Sequence, residues 1–181
     1  MYGAPVWHRE IGVGRAAAPL AAVQRLVGSR VVRAYRTTAL EFVRVLARIP
    51  PVDLLADEYV EVYAARQAAL GRARETGRDL NPEEIRQTRL TARKRTMLRW
   101  QRRLEDPLLP GQRVRKAVGL VLQDWMERPY LCITFRSTQV VTRHGVFGAF
   151  LHRIGRVPTP ECEHCEVAVD TAAHTLEKFT K

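Results

Sequence analysis

NPEEIRQTRLTARKRTMLRWQRRL, residues 81–104, is the stretch whose reading decides the fold class. Asn81 is a helix-capping side chain, and Pro82 suits a first helical position because its missing N–H needs no partner there. Glu83 and Glu84 stand at the positive end of the helix dipole. Ile85, Leu90, Met97, Trp100 and Leu104 recur at helical spacing and predict the contact face of one long helix. The same segment carries Arg86, Arg89, Arg93, Lys94, Arg95, Arg99, Arg102 and Arg103, with no acid between Arg86 and Arg103. Like charges three or four residues apart destabilise a helix by roughly 0.2–0.5 kcal/mol per pair, so something must compensate them. Phosphate is the natural compensator, which makes these eight cations candidate nucleic-acid contacts; the plainer alternative is a solvated surface helix. Trp100 lies at the apolar spacing and is expected in the core rather than stacked on a base.

Outward from this helix the pattern stays helical. Pro19 precedes Leu20, Val23, Val27, Val31 and Ala34, which fall on one helical face, with Arg25, Arg30 and Arg33 mostly off it. Thr38 and Glu41 have capping-box spacing ahead of Leu40, Val43, Leu46 and Ala47, and Pro50-Pro51 closes that helix. A third helix is predicted from Asp53 through Leu55, Tyr59, Val62 and Ala65 towards Leu70, with Gly71 and Gly77 loosening its end. Val114, Ala117, Val118, Val121, Leu122 and Trp125 suggest a further helix, and residues 140–154 another, interrupted at Gly145 and Gly148. The first fifteen residues, with Gly3, Pro5, Gly12 and Gly14 around Tyr2 and Trp7, are expected not to be helical. No strand pattern and no internal repeat is found. The expected fold is mainly α: helical, bundle-like segments with a small carboxy-terminal Cys/His element of zinc-knuckle type.

Composition narrows the partner. Lys and Arg number 30 against 19 Asp and Glu in 181 residues, a formal charge of +11 and a pI near 10.4. A surplus of that size points to a polyanion, and its dominance by arginine, whose planar fork matches phosphate, favours nucleic acid over an anionic membrane surface. No apolar run approaches the roughly 20 residues needed to span a bilayer, and residues 1–10 lack the pattern of a signal peptide, so an intracellular protein is expected.

Chemistry-bearing motifs are few. There is no Asp-Asp pair, no Gly-Lys-Ser/Thr phosphate loop and no Gly-x-Ser-x-Gly elbow, and His144 and His152 have no carboxylate pattern that singles them out for acid–base work. The carboxy-terminal cluster is sharper. Cys162-Glu163-His164-Cys165, beyond Pro158-Thr159-Pro160, is followed eight residues later by His174. Two thiolates on a tight turn and a histidine on a following short helix supply three corners of a tetrahedral zinc site. His164, His152, Cys132 or a water could take the fourth. The odd number of cysteines suits a metal site better than a disulfide framework.

Several segments, in order, resemble the region downstream of the polymerase in LINE-type non-LTR retrotransposons, above all the insect elements that insert into ribosomal RNA genes. Tyr2-Gly3-Ala4-Pro5-Val6-Trp7 is similar to a Tyr-Gly-Ala-x-x-Trp segment at the end of that family's thumb, and Arg33-Ala34-Tyr35-Arg36-Thr37 to its Arg-x-Tyr-Arg-Thr. Pro51-Val52-Asp53-Leu54-Leu55-Ala56 resembles a Pro-x-x-Leu-x-Ala element. Thr138 to Phe147 resembles Thr-Gln-x-x-Thr/Ser-Gly-His-Gly-x-Phe, continued by Leu151-His152-Arg153. Two positions depart from the family: Arg143 replaces a glycine, and Phe179 stands where the fourth zinc ligand of a Cys-Cys-His-Cys motif belongs.

The resemblance implies the carboxy-terminal portion of a polyprotein that carries an endonuclease, an RNA-directed DNA polymerase and a terminal nucleic-acid-binding motif. On that reading residues 1–18 end the thumb, 19–157 form a helical, Arg-rich nucleic-acid-binding region, and 158–181 are the Cys/His motif. Zinc would be held by Cys162, Cys165 and His174. Magnesium would serve only the polymerase's Phe/Tyr-x-Asp-Asp, which this chain does not contain. The implied partners are the element's RNA, its target DNA and the rest of the polyprotein, and the implied place of action is the nucleus at the integration site. The alternative is a stand-alone helical zinc adaptor that binds another protein through the Pro50-Pro51 and Val140–Phe150 regions.

Overall fold

The computed structural model describes residues 3–110, 115, 118–129 and 133–179. Helices dominate: α1 (Ala4–Val13), α2 (Ala17–Val31), α3 (Leu40–Leu46), α4 (Val52–Thr76), α5 (Pro82–Leu104), α6 (Leu122–Glu127), α7 (Phe135–Thr142), α8 (Gly148–Arg153) and α9 (Ala172–Phe179). A hairpin of β1 (Glu161–Cys162) and β2 (Cys165–Val169) precedes α9. The chain divides into two compact units, residues 1–28 with 39–129 and residues 29–38 with 130–181.

The first unit is built on α4 and α5, an antiparallel pair joined at Gly77, which caps α4 in the left-handed conformation (φ 63°). Asn81 caps α5 as its sequence predicts, its side chain accepting from the Glu83 N–H at 3.0 Å. Val45, Leu54, Trp100, Leu104 and Leu122 form the core, with Met97, Trp125 and Met126 packed against it. Trp100 is completely buried, and the Trp125 indole donates to the Val45 carbonyl at 2.8 Å. Ala92 and Thr96 line the buried side of α5, whereas Leu90 is 45 % exposed. α2 meets α3 at Gly28, where a Cβ would come within 2.5 Å of Val43 Cγ1. Beside that approach lies a polar network: Gln24 donates to the Pro50 carbonyl (2.8 Å) and accepts from Arg44 Nε (3.0 Å), and Arg44 also pairs with Glu41 at 2.5 Å. Pairing Arg44 with Glu41 offsets part of the cost of burying both charges, and Arg44 Nε is taken up by Gln24.

The second unit holds α7, α8, the hairpin and α9. α7 opens with a capping box, Thr134 and Ser137 each bonding the other's backbone N–H at 3.1 and 2.9 Å. The hairpin is tied to the start of α8 by Asp170, whose carboxylate accepts from the Gly148 N–H at 2.6 Å and whose carbonyl accepts from the Ala149 N–H at 2.9 Å. A Cβ at 148 would press to 3.0 Å from the Pro160 carbonyl, tighter than an ordinary contact, so glycine allows this close approach.

Four expectations change. Residues 4–13 are helical: Gly3 and Gly14 act as its two caps, Pro5 lies in the first turn where it breaks no hydrogen bond, and Ala4 and Ile11 are buried. Gly71 does not loosen α4, which runs on to Thr76, because one mid-helix glycine costs only about 1 kcal/mol relative to alanine. The apolar stripe of α2 exists but faces outward, with Val23, Val27 and Val31 at 56, 47 and 59 % exposure, since the packed side is that of Gln24 and Gly28. A short hairpin is present where no strand pattern was read; a two-residue strand is too short to show alternation. Val114 and Ala117, assigned to the helix that contains α6, and Tyr2 lie outside the described residues.

Candidate nucleic-acid interface and metal centre

The acid missing from the basic run of α5 is supplied by α4. Asp53, Asp57 and Glu61 are spaced four apart on α4, and Arg95, Arg99 and Arg103 are spaced four apart on α5. With the two helices antiparallel, the rows meet as a ladder: Arg103 with Asp53 (3.1 Å), Arg99 with Asp57 (2.7 Å) and Arg95 with Glu61 (2.7 Å). Arg93 joins Glu58 at 3.2 Å, and Arg86 pairs with Glu83 one turn back on α5 itself at 2.6 Å. Burial alone would raise the Asp53 carboxyl, but the hydrogen bonds and positive charge of Arg103 outweigh it and hold that carboxyl below its ordinary value. Five of the eight candidate cations are thus engaged with carboxylates. Arg89, Lys94 and Arg102 are exposed and belong to no ion pair among the described residues.

The ladder was in the sequence as two i, i+4 rows on successive helices. A reading along the basic helix alone does not show it, because the acids lie across from that helix on α4.

The carboxy-terminal cluster assembles as its spacing predicts. β1 and β2 pair Cys162 opposite Cys165 across the tight turn at Glu163-His164, and α9 carries His174 back to them. The Sγ atoms of Cys162 and Cys165 and a ring nitrogen of His174 all lie within 4.8 Å of one another, and Cys165 Sγ is 3.0 Å from His174 Nε2. Zinc–sulfur and zinc–nitrogen bonds of about 2.3 and 2.0 Å put tetrahedral donors roughly 3.5–3.8 Å apart, so the three donors fit such an ion with small adjustment. Cys162 and His174 are buried at 5 and 9 % exposure, and the Thr171 hydroxyl accepts from the His174 N–H at 3.1 Å, fixing the start of α9. Among the described residues no other histidine, cysteine or carboxylate joins this group. His152 Nδ1 instead lies 3.3 Å from the Val157 carbonyl, and Cys132 lies outside the described residues.

A third constellation was not singled out from the residues. The segments Arg33–Thr37 and Thr138–Phe147, far apart in sequence, meet in the second unit. Thr138 Oγ1 donates to the Val32 carbonyl at 2.6 Å, and Gln139 Nε2 donates to the Tyr35 hydroxyl at 3.0 Å. Tyr35 packs on Phe135 (ring centroids 6.0 Å) and edge-on against His144 (6.1 Å), and His144 lies 5.0 Å from Phe150. Arg153 stacks over Phe150 at 5.1 Å. Burial, helped by the Arg153 charge, pushes the His144 imidazole below its ordinary value and so favours its neutral form. Beside it, a cavity of about 720 Å³ runs along Arg136, Gln139, Phe147 and Leu151 to Cys162 and His164.

Among known proteins, the chain is 29 % identical over 169 residues to the 115 kDa protein of the type-1 retrotransposable element R1DM of Drosophila melanogaster. The match takes in 90 % of this chain and 16 % of that relative's length. No family model matches the chain, and no solved structure matches it. A similarity that runs along nine-tenths of the chain supports a protein of a non-LTR, R1-type element, as the ordered motifs implied.

Proposed function

We propose that the chain is a nucleic-acid-gripping piece of an R1-type non-LTR retrotransposon polyprotein, the part carboxy-terminal to the catalytic palm. The observation that carries this reading is the Cys162, Cys165 and His174 cluster, within 4.8 Å and mostly buried, at the end of a chain similar along its length to an R1-element protein. The polyprotein as a whole would act as an RNA-directed DNA polymerase with an endonuclease, in the nucleus at its target site, and its Asp-Asp metal centre is not among these residues. Here the chain would hold the element's RNA or its target DNA while the DNA copy is primed.

Two features supply the grip. Zinc on the two thiolates and the imidazole would lock the hairpin to α9, giving a small fold what its core is too small to provide. On α5, Arg89, Lys94 and Arg102 would take phosphate directly, while Arg93, Arg95 and Arg99, roughly half exposed in their ion pairs, would add positive field.

Titration of the metal-free chain with zinc should show one equivalent bound, abolished by Cys165→Ser. Chain that takes up no zinc at micromolar concentration contradicts the reading. The alternative, a metal-binding adaptor for another protein, draws on the outward apolar stripe of α2, Val23, Leu26 and Val27. Nuclease treatment separates the two, since only an adaptor keeps its partner afterwards.

A further inference from the structure

Among the described residues, the second unit carries arginines that belong to no ion pair. Every ion pair among the described residues lies in the first unit, where carboxylates of α4 and of the first turn of α5 occupy the arginines of α5. Arg33, Arg136, Arg143 and Arg153 of the second unit belong to no ion pair among the described residues. Arg153 stacks on one aromatic cluster, and the other three stand within two residues of its members in sequence. Arg136 adjoins Phe135, which is 41 % exposed, Arg143 adjoins His144, Arg153 covers Phe150, and Arg33 stands two residues before Tyr35.

Two of these arginines sit where the backbone disfavours them. Arg33 (φ 53°) follows the end of α2 and Arg143 (φ 56°) caps α7, both in the left-handed conformation that glycine adopts without penalty. A residue with a Cβ is strained in that conformation. Both are exposed, and neither belongs to an ion pair among the described residues.

We propose that this arginine-ringed aromatic face, Arg33, Arg136, Arg143 and Arg153 around Tyr35 and Phe135, is the principal contact for single-stranded nucleic acid, ahead of the basic helix α5. The inference rests on the nucleic-acid reading above and relocates its main contact. Unpaired guanidinium groups take phosphate without first giving up a carboxylate, and an exposed aromatic ring offers a stacking face to any base. Duplex offers no unstacked base to Phe135, so single strands should bind more tightly than duplex of the same sequence. The cavity running from Arg136 to Cys162 gives the strand a continuous path towards the metal cluster.

The test uses the full chain and a short unstructured RNA at about 50 mM salt, with anisotropy as the readout. One variant combines Arg33→Gly, Arg136→Ala and Arg143→Gly, the glycines chosen because they relieve the left-handed turns and so keep the unit folded. The other combines Arg89→Ala, Lys94→Ala and Arg102→Ala. The first should lose about tenfold or more in affinity and flatten the salt slope by about 2, from three phosphate contacts at about 0.7 each. The second should lose clearly less. Phe135→Leu should weaken single-strand binding about fivefold or more and duplex binding little. If only the α5 variant loses affinity, the inference is wrong and the nucleic-acid reading stands. If the unaltered chain binds neither RNA nor DNA, both fall.

Discussion

At Arg143 the backbone angle, φ 56°, is the conformation that favours glycine, and the motif that residues 138–147 resemble has glycine at this position. Arg143→Gly should therefore stabilise the chain by about 0.5–1 kcal/mol in urea melts while weakening RNA binding, a trade of stability against function. A variant that is less stable than the parent would show that the Arg143 side chain holds the fold rather than a ligand. Local chemistry of this kind was partly legible in the sequence. The Asn81 cap, the buried Trp100 and the convergence of Cys162, Cys165 and His174 follow from residue type and spacing alone. The left-handed angle at Arg143 does not, because arginine carries no turn signal of its own.

Between elements, the ladder from α4 to α5 answers the need of a run of cations for compensation. The compensating charge lies on the neighbouring helix, where a separation of 34 to 50 residues hides it from any reading along one helix. Partly exposed ion pairs are worth about 0.2–1 kcal/mol each. Changing Asp53→Asn, Asp57→Asn and Glu61→Gln together should therefore destabilise the chain by about 1–2 kcal/mol, and by less in 1 M salt, where the Debye length falls to about 3 Å. Acid should erase the difference between the two chains. The Asp53 carboxyl is held below its ordinary value of 3.8, so its contribution is complete above that pH and is lost as pH falls below it through the depressed value. A variant as stable as the parent at neutral pH and low salt would mean that the ladder is incidental to the packing of α4 on α5. The outward stripe of α2 carries the same lesson. Helical spacing identified the row, but the buried hydrogen bonds of Gln24, and Gly28 against Val43, decided which side of the helix is covered.

For the molecule as a whole, a mainly helical chain with a surplus of eleven positive charges and a Cys/His element was readable from composition and spacing. The meeting of residues 33–37 with 138–147 was not, because it depends on a return of the chain over about a hundred residues that no local pattern encodes. That meeting brings Tyr35 against Gln139 and His144, and it is the ground on which the proposed grip on nucleic acid moves from α5 to the second unit. Both placements share the claim that this basic chain binds a nucleic-acid polyanion. The most direct test is the affinity of the zinc-loaded chain for single-stranded RNA, measured as a function of salt. The account predicts binding at low salt that weakens with a log–log slope steeper than about −2, at about −0.7 per phosphate neutralised. No binding at about 50 mM salt, or an affinity indifferent to salt, would contradict it.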